Sequence, residues 1–288
     1  MALAEGQFEI RGLAMGPGTR FRITDDTNPW VRQTRADQSG GLAWGHGGWS
    51  GAEWSAERVI SFGGLIGPGR DDVAGALEDL HDLAAAFAPT GVAGDVPMRW
   101  RQGGREYLAY VRTRMTEPRM DLLGTGRVWV RCAAVALDPF IYSAVERTAG
   151  PLGGPTWSGG LTFPMTVPFT IGATQTGGAA DLVNEGRAPA SLTIRYDGPL
   201  PGDNRIAVRG PDGVTRVQRV VPPLAAGEWL EVDTRARTVW LNGDQQSSRR
   251  SDVVGDWPLL LRGTSVLRHL APTQTAGTVT VRWRDTWW

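Results

Sequence analysis

"GRVWVRCAAVALDPFIYS", residues 126–143, decides how the chain is to be read. It alternates like a strand as far as Leu137, stops at Asp138 and Pro139, and resumes at once with Phe140 and Tyr142. Val128, Val130, Cys132, Ala134 and Ala136 share one face. Trp129, Ala133, Val135 and Leu137 share the other, interrupted only by Arg131. A strand apolar on both faces is expected at the centre of a sheet, covered on both sides. Proline has no N–H to continue a ladder, and its fixed φ redirects the chain. The stretch reads as the last strand of one domain, with Asp138, Pro139, Phe140 and Tyr142 as its exit.

Upstream, "VPMRW" and "REYLAYVRT" alternate on either side of "RQGG", residues 101–104, and predict a hairpin. Residues 71–88 predict one helix. Val73, Leu77, Leu80, Ala84 and Phe87 recur at three and four, Asp71 and Asp72 stand where carboxylates cap free N–H groups, and Pro89 stops it. Residues 26–57 are Gly-rich and irregular, yet carry Trp30, Trp44, Trp49 and Trp54. Each ring holds about 150–250 Å2 that favours burial. Either the domain or a partner is expected to cover them, so these four are interface candidates.

Downstream, residues 144–161 are rich in Gly and Pro without periodicity, and read as a linker. Everything beyond reads as short strands: "TFPMTVPFTIG", "SLTIRY", "NRIAVRG", "VTRVQRVV", "EWLEVDT", "RTVWLNG", "WPLLLRG" and "TVTVRWRD". So many antiparallel strands in succession predict a sandwich or jelly roll. In "GEWLEVDTRARTVWLNG", residues 227–243, Leu230, Val232, Val239 and Leu241 form the core-facing set. A hairpin loop of two residues (Thr234–Arg235) or four (Asp233–Ala236) sets Trp229 directly opposite Trp240, and Leu230 opposite Val239. The two rings then form an aromatic platform, whether as a cross-strand pair, a protein contact or a sugar-stacking surface.

Composition narrows the functional classes. The chain has 288 residues, 41% of them hydrophobic and 21% charged, a globular balance with room for two domains. Gly 39 and Pro 19 suit short strands and tight turns. Basic and acidic residues both number 30, for a net charge of zero, and no lysine occurs. A nucleic-acid binder normally shows a basic excess, so none is expected as partner. The N-terminus lacks the order of a signal peptide, and no run reaches the ~20 apolar residues of a membrane span. Cys132 is the one cysteine, expected as a buried core residue, which leaves no internal disulfide.

Catalytic chemistry finds little footing. His46, His81 and His269 are far apart, without metal-ligand spacing. Ser50 and Ser158 lie outside any G-x-S-x-G. The strand, Gly-rich turn and helix of residues 59–80 match neither nucleotide fingerprint, and Asp71 and Asp72 would repel an anion there. No enzyme, cofactor or metal is expected.

The order of features resembles the distal tail protein (Dit) family of siphoviruses, the long-tailed bacteriophages. The residues that carry it are "RVISFGGLIGPGRDD", the helix at 71–88 and "RCAAVALDPFIYS" in the first half, and "AAGEWLEVDTRARTVWLNG" and "VRWRDTWW" in the second. The resemblance implies a mainly β protein: residues 1–143 a ring-forming domain with one helix that continues the tail tube, 144–161 a linker, and 162–288 a galectin-like jelly-roll sandwich. It implies a homohexameric ring made in the host cytoplasm and placed at the virion's tail tip. Its partners would be the tail tube protein, the tail-tip hub protein and receptor-binding or fibre proteins. A carbohydrate-binding module gripping host cell-surface polysaccharide is the alternative that the exposed tryptophans leave open.

Overall fold

The computed structural model describes the chain except residues 1, 25–26, 37–38, 90, 92–93, 155, 159–173 and 177. It divides into two units, Met1–Ala144 with Trp288, and Val145–Trp287.

The first unit is built around the strand Val128–Ala136. It pairs antiparallel with Arg58–Ile66 on one side and with the second half of Arg105–Arg119 on the other. It is central, as its sequence requires, but only one of its faces is closed. Val128, Val130, Cys132, Ala134 and Ala136 are buried, whereas Trp129, Ala133 and Val135 are half-buried and Leu137 is exposed. The inner face is closed by the helix and by rings such as Phe62; among the described residues of this unit no layer closes the outer one.

The fifteen residues of Arg105–Arg119 serve two partnerships. Arg105–Val111 pair with Val96–Gln102, and Arg112–Arg119 with Val128–Ala136, across a register shift between Met115 and Glu117. The hairpin turn is Gly103–Gly104, both with positive φ (60° and 75°), the conformation that a two-residue turn between twisted strands demands. The Glu5 carboxylate accepts from both glycine N–H groups. Phe8–Ile10, Leu13–Met15 and Phe21–Ile23 complete the antiparallel path. Gly63 and Gly64 of "SFGGLIG" lie inside the strand Arg58–Ile66, and Gly67 follows it. A Cβ on Gly64 would meet the Arg22 carbonyl oxygen at 2.1 Å, so the neighbouring strand itself demands glycine there.

The helix spans Val73–Ala86, and the Asp72 carboxylate accepts from Gly75 N–H at 2.9 Å to cap it. Its buried set is Ala76, Asp79, Leu80, Leu83 and Ala86, with Phe87 following. The expected stripe is therefore rotated: Leu80 and Phe87 face inward, while Val73 is exposed. Asp79 explains the rotation, because a carboxylate on the inward face is tolerated when Arg20 reaches it at 2.8 Å. Burial pushes the Asp79 pKa up, and Arg20 opposes that less strongly. The unfolded chain releases this proton near 3.8 and the folded chain at a higher pH. Between those values the folded state binds more protons, so stability falls as pH rises through that window. In a pH series of thermal unfolding, Asp79→Asn is expected to remove this component; parallel wild-type and variant profiles would contradict it.

The second unit is a sandwich of two antiparallel sheets. One runs Arg147–Gly153, Thr278–Trp283, Ala190–Asp197, Trp229–Asp233, Thr238–Leu241, with Leu259–Leu260 joined to Ala190–Asp197. The other runs Ala179–Asn184, Gly263–Leu270, Asn204–Arg209, Thr215–Val220, Val253–Gly255. Leu182, Ile194, Tyr196, Leu230, Val232, Leu267 and Val281 belong to the shared core. The expected linker is thus partly a strand: Arg147–Gly153 pairs with Thr278–Trp283. Its signal was hidden because Gly150 and Pro151 fall where the register shifts, between Ala149 and Leu152. The chain is fastened there by Arg147, which meets Asp285 and Glu185 at 2.8 Å each. The expected strand at 162–172 lies outside the described residues.

Candidate assembly surfaces

The exit from the first unit is held by an acid and a buried base. Asp138 accepts from Phe140 N–H at 3.0 Å through one carboxylate oxygen, and from the Tyr142 hydroxyl at 2.5 Å through the other. The strand thus ends in an Asx-type turn that the aspartate makes for itself. Arg58, only 1% exposed, donates to the Pro139 carbonyl at 2.7 Å. Its other terminal nitrogen donates to Pro29 at 2.7 Å and Val31 at 3.0 Å. One planar guanidinium therefore ties the exit to residues 29–31, where the Trp-rich stretch begins. Burial, and then the charge of Arg32, pull the Arg58 pKa down, with Asp138 opposing. Phe140 packs on Trp288 with ring centroids 4.8 Å apart, and Tyr142 on Tyr110 at 6.1 Å.

The four candidate tryptophans separate into two groups. Trp30 packs edge-on against Tyr107 (5.0 Å) and Trp100 (6.2 Å), and its indole N–H donates to Gln102 at 2.6 Å. It is half-buried against its own domain. Trp44, Trp49 and Trp54 are 97%, 52% and 58% exposed. They stand on a hairpin arm formed by two short ladders, Thr34–Ala36 with Glu53–Ser55 and Gly40–Gly41 with Gly48–Trp49. Nothing in the sequence distinguishes Trp30 from the others. Its partners Trp100 and Tyr107 lie about 70 residues away, and only the fold brings them near.

On the second unit, the hairpin register is two residues away from expectation. Leu230 pairs with Leu241, Glu231 with Trp240, and Val232 with Val239. The core-facing set is as expected, and Trp229 and Trp240 share the outer face, but Trp240 faces Glu231. The loop is Thr234–Arg237. Asp233 accepts from the N–H groups of Arg235 and Ala236, and Arg237 takes a left-handed φ of 54°. That pairing of aspartate and left-handed residue moves the turn toward the C-terminus. The two rings are therefore not directly opposed. Arg195 instead stacks on Trp229 at 4.3 Å, which occupies a ring face that a sugar would need.

No catalytic constellation emerges among the described residues. His46 and His81 are exposed. His269 is buried, 3.3 Å from Asn204, and burial pushes its pKa down. No group of three or more metal-ligating side chains forms among the described residues. No helix among them is long and apolar enough to cross a membrane. Cys132 is 2% exposed, and burial pushes its thiol pKa up to about 12. Labelling by a thiol reagent at neutral pH is expected to await unfolding. Fast labelling of the native protein would contradict this burial.

Residues 185–287 match the family model for the siphovirus-type tail component, C-terminal domain. Among solved structures, the Dit protein of phage SPP1, described as a paradigm of the hub adsorption apparatus in phages infecting Gram-positive bacteria, aligns with a TM-score of 0.60. The identity is 15%, over 97% of this chain and 98% of that one. Two structures of the phage p2 baseplate in its activated conformation, with Sr and with Ca, align at TM-scores of 0.48 and 0.47. Both are 11% identical over 96% of this chain and 97% of theirs. No curated protein matches. Residues 185–287 thus match the siphovirus-type tail component's C-terminal domain, and the chain along nearly its whole length shares the fold of the SPP1 Dit protein.

Proposed function

We propose that this tail component is the ring at the distal end of the tail. Six copies would close through their first units, continue the tail tube, and join it to the tail-tip hub and to receptor-binding or fibre proteins. The second unit, a sandwich of galectin-like type, would serve attachment rather than closure. The observation that carries this reading is the exposed tryptophan arm. Trp44, Trp49 and Trp54 stand in solvent on a unit that buries Phe62, Phe87 and Trp100. Exposed aromatic surface on this scale marks a protein contact. The reading calls for no catalysis, cofactor or nucleic-acid contact.

Native mass spectrometry and light scattering of the purified chain test it. A single closed oligomer of six is expected. A monomer that persists to high concentration would overturn it.

A further inference from the structure

The arm leaves the unit with apolar side chains outward. Besides its three tryptophans, Leu42 at its tip is 51% exposed. The same unit carries a groove of matching character. Its floor and one wall are Ala84, Phe87 and Pro89 at the end of the helix, and its other wall is Arg112–Arg114 of the long strand. Its volume is about 680 Å3. The groove is mostly apolar, and two arginines border it. Arg112 is steadied by Asp95 at 2.9 Å, which leaves the flat face of its guanidinium for stacking.

We propose that this groove receives the arm of a second copy of the chain, with Trp44 leading and the groove arginines stacked against its indole. This rests on the ring reading and gives that ring its contact. Arm and groove are different surfaces of one unit, so the contact is head-to-tail, the type that closes into rings. Every copy then both gives and receives, and neither surface is left over within the ring. Trp44, 97% exposed, is the ring that gains most from cover, and the groove arginines offer its face a cation–π contact.

Cysteine pairing tests the contact without removing a tryptophan, because the native Cys132 is buried and does not compete. Ala43→Cys marks the arm beside Trp44, and Ala84→Cys marks the groove. Under mild oxidation the double variant is expected to give a ladder of covalent oligomers that ends at the closed ring. A mixture of the two single variants should give dimers, and each single variant alone none. Trp44→Ala should weaken self-association at least tenfold. A double variant that links only within one chain would place the arm on its own groove and overturn the proposal. So would a closed oligomer that yields no links, or one left intact by Trp44→Ala; in those cases the ring reading stands and its contact lies elsewhere. Links that form only when another tail protein is added would reassign the groove and overturn the proposal too. A wild-type chain that never assembles would remove the ring reading itself.

Discussion

Arg58→Ala is expected to destabilise the first unit by about 3–5 kcal/mol, the range for removing one partner of a buried charged network. The substitution strips the Pro29, Val31 and Pro139 carbonyls of their donors at once. Each carbonyl left unsatisfied costs about 1–3 kcal/mol where water cannot reach it. Arg58→Lys should recover only a small part. An ammonium on a flexible stem cannot span three acceptors in the plane of a guanidinium. Denaturant unfolding should show the midpoint falling with little change in slope. A loss below about 1 kcal/mol would mean that solvent replaces the three bonds, and that the clamp carries no weight.

Trp100→Ala ranks beside it. Trp100 is 1% exposed and stacks on Tyr107 at 5.6 Å and Phe8 at 6.3 Å, with Trp30 edge-on. Truncation of a buried indole costs about 3–5 kcal/mol, part from lost transfer and part from the cavity left behind. The indole N–H has no hydrogen-bond partner among the described residues. Trp100→Phe therefore loses packing alone and should cost less than half as much. Near-UV circular dichroism gives a second readout, since Trp30 and Tyr107 lose their asymmetric surroundings together. An alanine variant with an unchanged near-UV spectrum would show that Trp100 does not organise the cluster.

What the sequence disclosed follows from how much each signal is local. The strand Val128–Ala136 was legible because every second side chain is small and apolar. The turn Gly103–Gly104 was legible because two adjacent glycines between alternating runs admit few conformations. Gly263–Leu270 escaped notice although it lies between two partner strands. Its inward positions include Ser265 and His269, both 1% exposed, and such polar residues at alternate places erase the period of two. The register of Trp229–Asp233 with Thr238–Leu241 was missed by two residues, which preserves every face and changes only who is opposite whom. Pattern reading fixes the face but not the partner, because the side chains of the Asp233 turn decide the partner. The same limit applies to the assembly surfaces. Exposure of Trp44 and the partial burial of Trp30 are properties of distant contacts, not of the Gly-rich stretch that holds both. The open face of Val128–Ala136 also could not be read. Apolar residues on both sides of a strand require cover, and the sequence does not say whether the cover belongs to the same chain.

The double allegiance of Arg105–Arg119 bears on how the first unit comes apart. Its first half is bonded to Val96–Gln102 and its second half to Val128–Ala136, with no break in the backbone between them. The two flanks use different amides of one unbroken strand, so a distortion begun at either end is carried along the same backbone to the other. The two flanks should therefore open as a single cooperative block, and hydrogen exchange along the strand should show one common protection level on either side of Val111. A load applied across the unit would meet both hydrogen-bond ladders together, so the strand acts as a tension member that a pair of separate strands could not replace.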